Sequence, residues 1–121
     1  MKLEQQVTSL ELSKKLKELG VKQKSLCIWE TEYEPILSVG FESALHLADG
    51  SASAFTVAEL GELLPPHYFT TKSQAIKNFW HCNIIENFAG DEFKKGIIAN
   101  TEADARAKML IYLLENKLIT L

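Results

Sequence analysis

Apolar residues recur at two different spacings along this chain, and the boundaries between them carry their own signals. Leu12, Leu16 and Leu19 fall three and four residues apart, the period of a helix with one buried stripe. Thr8 and Glu11 read as a capping box ahead of that stripe, with Val7 and Leu12 as its hydrophobic staple. Gly20 supplies a left-handed stop, and Val21 can fold back on Leu16. The spacing predicts a helix over 9–19. Thr56 and Glu59 repeat the box, Phe55 and Leu60 repeat the staple, and Pro65-Pro66 ends the element, which predicts a short helix over 57–64. A third helix is expected over 102–116. Thr101 is its N-cap, Glu102 and Asp104 lie against the positive end of its dipole, and Ala103, Ala107, Leu110 and Leu114 form its stripe.

Between the helices the period changes to two. Residues 25–34 alternate, with Cys27, Trp29, Thr31 and Tyr33 facing one way and Leu26, Ile28, Glu30, Glu32 and Glu34 the other. Pro35 interrupts this run, and 36–41 can pair back on it. Strands are also predicted at 67–71, at 79–87, where aromatic and β-branched residues gather, and at 93–99 beyond a Gly90-Asp91 turn. Residues 42–54 read as loop. The order predicts a single α+β domain: an antiparallel sheet of about four or five strands packed with three helices. Connections this short leave little room for parallel crossovers.

Composition narrows the class further. The chain has 121 residues and 46% apolar residues, enough for one domain with a core. A formal charge of −3 disfavours a general nucleic-acid binder. The N-terminus has no apolar signal-peptide core and no stretch reaches the length of a membrane span, so a cytoplasmic protein with no membrane partner is expected. Cys27 and Cys82 have no metal-type spacing and sit in apolar runs, as buried free thiols do in a reducing compartment. They would bond only if their strands were neighbours.

Candidate chemistry is sparse. The six glycines form no phosphate loop, and no Gly-x-Ser-x-Gly elbow is present. His81 and Cys82 are adjacent on a strand and so point to opposite faces, which argues against a shared metal or a thiol–base pair. A catalytic site would have to be assembled from distant residues such as His67, His81 and Glu92. Lys14, Lys15, Lys17, Lys22 and Lys24 form the most basic stretch, without the aromatic or arginine interleaving of a nucleic-acid surface. The row Glu30, Glu32 and Glu34 reads as a solvated or guarded edge. With Leu26 and Ile28 it makes a candidate interaction surface and a possible homodimer contact, unless a helix of the same chain covers the two apolar residues. No catalytic residue, metal or cofactor is expected.

Three segments together resemble a known group. The residues Ser9 to Val21, Ala54 to Pro65 (Ala-Phe-Thr-Val-Ala-Glu-Leu-Gly-Glu-Leu-Leu-Pro) and Thr101 to Leu110 (Thr-Glu-Ala-Asp-Ala-Arg-Ala-Lys-Met-Leu) are similar to small uncharacterised proteins encoded by bacteriophages and prophages. More loosely, the layout is similar to phage α–β–α sandwich domains. The resemblance implies architecture and brings no catalytic residues. It points to a phage or prophage accessory protein that acts through contacts with a host or phage protein. The alternatives are a small hydrolase or transferase, and a nucleic-acid-binding modulator using residues 14–24.

Overall fold

The computed structural model describes residues 2–31, 34–39, 51–73, 79–88 and 91–121, without the side chains of 86–88 and 91–93. Among these, a 3-10 turn (Leu3–Gln5) leads into α1 (Leu10–Glu18). Then come β1 (Cys27–Glu30), β2 (Ile36–Val39), β3 (Ala52–Ala54), α2 (Val57–Leu63), β4 (Tyr68–Lys72), β5 (Trp80–Phe88), β6 (Asp91–Ala99) and α3 (Glu102–Glu115). The α+β class holds, but the strands form two antiparallel sheets of three, ordered β2-β1-β3 and β4-β5-β6, where one sheet of four or five was expected.

The difference turns on β3. Residues 51–54 are Ser-Ala-Ser-Ala, too small to show as a strand in sequence, yet all four are buried. Ala52, Ser53 and Ala54 pair with Trp29, Ile28 and Cys27. Small side chains let α1 approach this strand closely, and Lys17 Nζ reaches the Ser51 carbonyl at 2.7 Å. The strand therefore completes a first sheet around β1, and α2 separates it from the second.

The helix ends follow local rules with one shift. Ser9, not Thr8, caps α1, accepting from Leu12 N at 3.4 Å. The Thr8 hydroxyl is used elsewhere: it lies 2.6 Å from Ser13 Oγ and accepts from Phe55 N at 3.1 Å, tying the start of α1 to the start of α2. Gly20 has φ +89°, and the bonds Gly20 N to Lys17 O and Val21 N to Leu16 O close the expected stop. The Thr56/Glu59 box is complete, and Thr101 accepts from Asp104 N.

α3 is the centre of the molecule. It packs on all three strands of the second sheet and on α1 and α2. Seven of its residues are buried, among them Ala103, Ala105, Ala107, Leu110 and Leu113, so burial extends well beyond the single stripe predicted. The main core joins these to Leu16, Phe55, Leu60, Cys82 and Ile84. A smaller cluster of Val7, Cys27 and Ala54 lies under Trp29 and Leu37, while Ile28 on the opposite face of β1 is buried as well, so both faces of this strand are covered where only the aromatic one was expected to be. Among the described residues no helix is long and apolar enough to cross a membrane.

Candidate functional site

Arg106 is the chain's only arginine, and it organises the end of the molecule where α2 and α3 both begin. Its Nη1 donates to the Val57 carbonyl and to Tyr68 Oη, each at 3.0 Å. Its Nη2 donates to Glu102 Oε2 at 3.1 Å and to Thr70 Oγ1 at 3.4 Å. Thr70 Oγ1 in turn donates to the same carboxylate oxygen. One planar group thus fixes the first turn of α2, the first turn of α3 and β4, a task suited to a guanidinium fork. Gly61 makes room for it: a Cβ there would stand 2.6 Å from Tyr68 Oη and 2.7 Å from Arg106 Nη1.

Beside this network lies a cleft of about 390 Å³, within the size range of small-ligand sites. Its walls come from the N-terminal turn (Leu3, Gln5, Gln6), the start of α2 (Thr56, Val57, Ala58), the start of α3 (Thr101, Glu102) and the stem of the β4–β5 hairpin (Lys72, Trp80). Strand pairing places Lys72 opposite Trp80, and Trp80 opposite Ala99 at the head of α3. The cleft therefore offers an indole surface with an ammonium, a carboxylate held by Arg106, and hydroxyl and amide groups around it. Such a lining accepts a group with an apolar body and polar ends.

The outer face of the second sheet is the other notable surface. Its side chains alternate away from α3: Thr71, His81 and Ile98 in one row, Phe69, Asn83 and Gly96 in the next, then Ile85 and Lys94. Phe69, Ile85 and Ile98 are 49%, 47% and 50% exposed.

The residues singled out by sequence separate on these elements. Leu26 is 42% exposed, but Ile28 is 1% exposed, opposite Ser38 and Ser53, so it cannot belong to an interaction surface. The alternation expected to run to residue 34 stops with β1 at Glu30. Glu30 is exposed and accepts a hydrogen bond from Ser38 Oγ. Glu34 is exposed beyond the strand, and Glu32 and Tyr33 lie outside the described residues. Gly90 and the side chain of Glu92 also lie outside them. His67 flanks Ile85 through its carbonyl, four residues from His81 along β5 and so roughly 13 Å away along the strand, beyond a direct hydrogen bond.

The lysines of 14–24 are interleaved with acids. Lys15 pairs with Glu115 at 3.5 Å, Lys22 and Lys24 share a depression with Glu59 and Glu62, and Lys14 neighbours Glu11 and Glu18. Among the described residues these lysines therefore stand beside carboxylates.

Both cysteines are free and buried, one in each sheet. Burial pushes the Cys82 thiol up to about 11, with Glu102 adding to the rise and Arg106 opposing it. Burial, then Glu59, also raises Cys27. Both shifts favour the protonated thiol over the thiolate. Among the described residues no group of three or more His, Cys, Asp or Glu is placed to hold a metal ion.

Sequence reasoning missed the cleft, although two signals for it were present. The chain's one arginine stands a turn beyond Glu102 in a helix whose alanines pack closely, and Trp80 heads the strand beside it. What sequence could not show is that the N-terminal turn, α2 and α3 meet there. No protein-family model matches the chain, and no curated protein or solved structure matches it either.

Proposed function

We propose that this protein is a non-enzymatic recognition module, an accessory protein of phage or prophage origin that works through contact with a protein of the host or the phage. The cleft beside Arg106 carries this reading. Trp80 gives it a large rigid apolar surface of the kind that dominates binding energy at protein contacts, and Lys72 and Glu102 give it charge of both signs. The partner chemistry that fits is a protruding side chain with an apolar body and a polar tip. The phage origin and a site of action inside a bacterial host rest on the resemblance of residues 9–21, 54–65 and 101–110.

The test is capture from host lysate by wild type and two cleft variants. Ala58 is exposed in the first turn of α2 and lines the cleft, so Ala58→Arg fills it with little strain on the fold. Lys72→Glu reverses one of its charges. A partner retained by wild type and lost by at least tenfold with Ala58→Arg, at unchanged circular dichroism, is the expected outcome. A partner held equally by wild type and both variants would remove the cleft from the function.

A further inference from the structure

We infer that the cleft beside Arg106 takes the C-terminal residue of a partner chain, its apolar side chain along Trp80 and its free carboxylate at Lys72, an inference that rests on the cleft being the recognition site. One face of the second sheet carries Tyr68, Thr70 and Lys72 on β4, paired with Ile84, Cys82 and Trp80 on β5. Tyr68 and Thr70 are engaged by Arg106, whereas the last pair, Lys72 and Trp80, lines the cleft. Residues directly opposite on antiparallel strands stand about 5 Å apart at Cβ, so one ligand can meet the indole and the ammonium together.

Charge selects an anion. Glu102 Oε2 already accepts from Arg106 Nη2 at 3.1 Å and from Thr70 Oγ1, so this carboxylate and the guanidinium neutralise each other in place. Lys72 is exposed, and among the described residues its ammonium makes no hydrogen bond or ion pair. Nor does it lie over the indole: the cation–ring contacts among those residues are Lys95 on Tyr112 and Arg106 on Tyr68. The uncompensated charge of the described lining is therefore positive, and it stands beside an apolar wall of Trp80, Leu3 and Val57.

The pairing of an apolar body with an anion selects the chain end. An internal residue brings either an apolar side chain or a carboxylate, whereas the last residue of a chain carries both on one Cα. Capture of a terminal carboxylate is an established mode of peptide recognition. Size agrees, because about 390 Å³ lies at the small end of ligand pockets, with room for about one or two residues.

NMR titration of the full, isotope-labelled chain tests this. The probes are pentapeptides of sequence Gly-Ser-Gly-Ser followed by Leu, Phe or Trp, each as free acid and as C-terminal amide. At least one free acid should bind with a dissociation constant below about 1 mM and shift the Trp80 indole N–H, and its amide should bind about fivefold more weakly or worse. Lys72→Gln should weaken the acid to the level of the amide, and Lys72→Arg should restore it. Ala58→Trp, at an exposed position of the lining, fills the cleft without adding charge and should abolish both. Absence of binding by every free acid at about 5 mM overturns the proposal. Acid and amide bound alike also overturn it, and loss of both with Ala58→Trp would then leave the cleft as a recognition site for another group. Binding that survives Ala58→Trp at unchanged circular dichroism overturns the reading of the cleft itself. N-acetyl-leucine bound as tightly as the peptides would assign the site to a free carboxylic acid and remove the partner chain.

Discussion

Asp104 shows how one side chain can serve a helix and the fold on different terms. At the third position of α3 it meets the positive end of the helix, and its Oδ1 accepts from Ser9 N at 2.8 Å, linking the caps of α3 and α1. Burial nevertheless raises its pKa, against the lowering effects of the Ser9 hydrogen bond and Lys108. The folded chain then holds this proton to higher pH than the unfolded chain does. Between the ordinary carboxylate value and the raised one, stability falls as pH rises, and above that window the loss is constant. Asp104→Asn keeps an acceptor for Ser9 N and removes the charge. Urea melts in steps from pH 3 to 7 should show the Asn variant gaining on wild type through the window and then holding its gain. A difference that is flat or opposite in slope would mean that the helix terminus and Ser9 outweigh burial. Sequence revealed half of this. Asp104 was legible as a helix-start carboxylate because that role is three residues from Thr101, whereas its bond to Ser9 spans 95 positions. The shift of the α1 cap from Thr8 to Ser9 has the same cause, since a distant backbone N–H at Phe55 claims the Thr8 hydroxyl.

The elements themselves were legible wherever their signals are local. All three helices and the hairpin strands β4, β5 and β6 stand within a few residues of their expected spans, because caps, staples and alternation act over three to five residues. The element that sequence hid, β3, has no such signal, its Ala-Ser-Ala being defined by what lies against it. α2 offers a direct test of tertiary context against propensity. In an isolated helix, replacing a glycine by alanine gains up to about 1 kcal/mol. At Gly61 the added Cβ would press on Tyr68 Oη and Arg106 Nη1, and both groups are pinned by their mutual hydrogen bond and by the Val57 carbonyl. Overpacking of this kind costs about 1–3 kcal/mol. Gly61→Ala should therefore lower stability in chemical denaturation by about 0–2 kcal/mol, the overpacking cost less the propensity gain. A stabilised variant would show that the Arg106 junction yields easily, and the cleft beside it would lose its claim to a fixed shape.

At the scale of the whole molecule, the two sheets do not share the core equally. α3 lies against every strand of the second sheet, and the main core gathers α1, α2, β5 and α3 around it. Among the described residues the first sheet contributes the small cluster of Val7, Cys27 and Ala54 with Trp29 and Leu37, and Ile28 and Ala52 are buried outside it. Among the described residues β2 is that sheet's outer strand, with Ile36 and Val39 exposed, and it pairs with β1 alone. Local stability follows buried contact, so the chain should open in order and not all at once. Amide hydrogen exchange should be fastest in β2, slower in β1 and β3, and slowest in β5 and the middle of α3. Trp29 bears on the middle rank, because its Nε1 donates to the Thr8 carbonyl at 2.8 Å and so ties β1 to the segment that α1 and Phe55 hold. Trp29→Phe keeps the ring and removes that tie. It should bring exchange in β1 toward that of β2 while α3 is unaffected. If β2 exchanged as slowly as α3, or if the variant accelerated both sheets alike, the first sheet would be part of one cooperative unit with the second, and the division drawn from the two core clusters would be wrong.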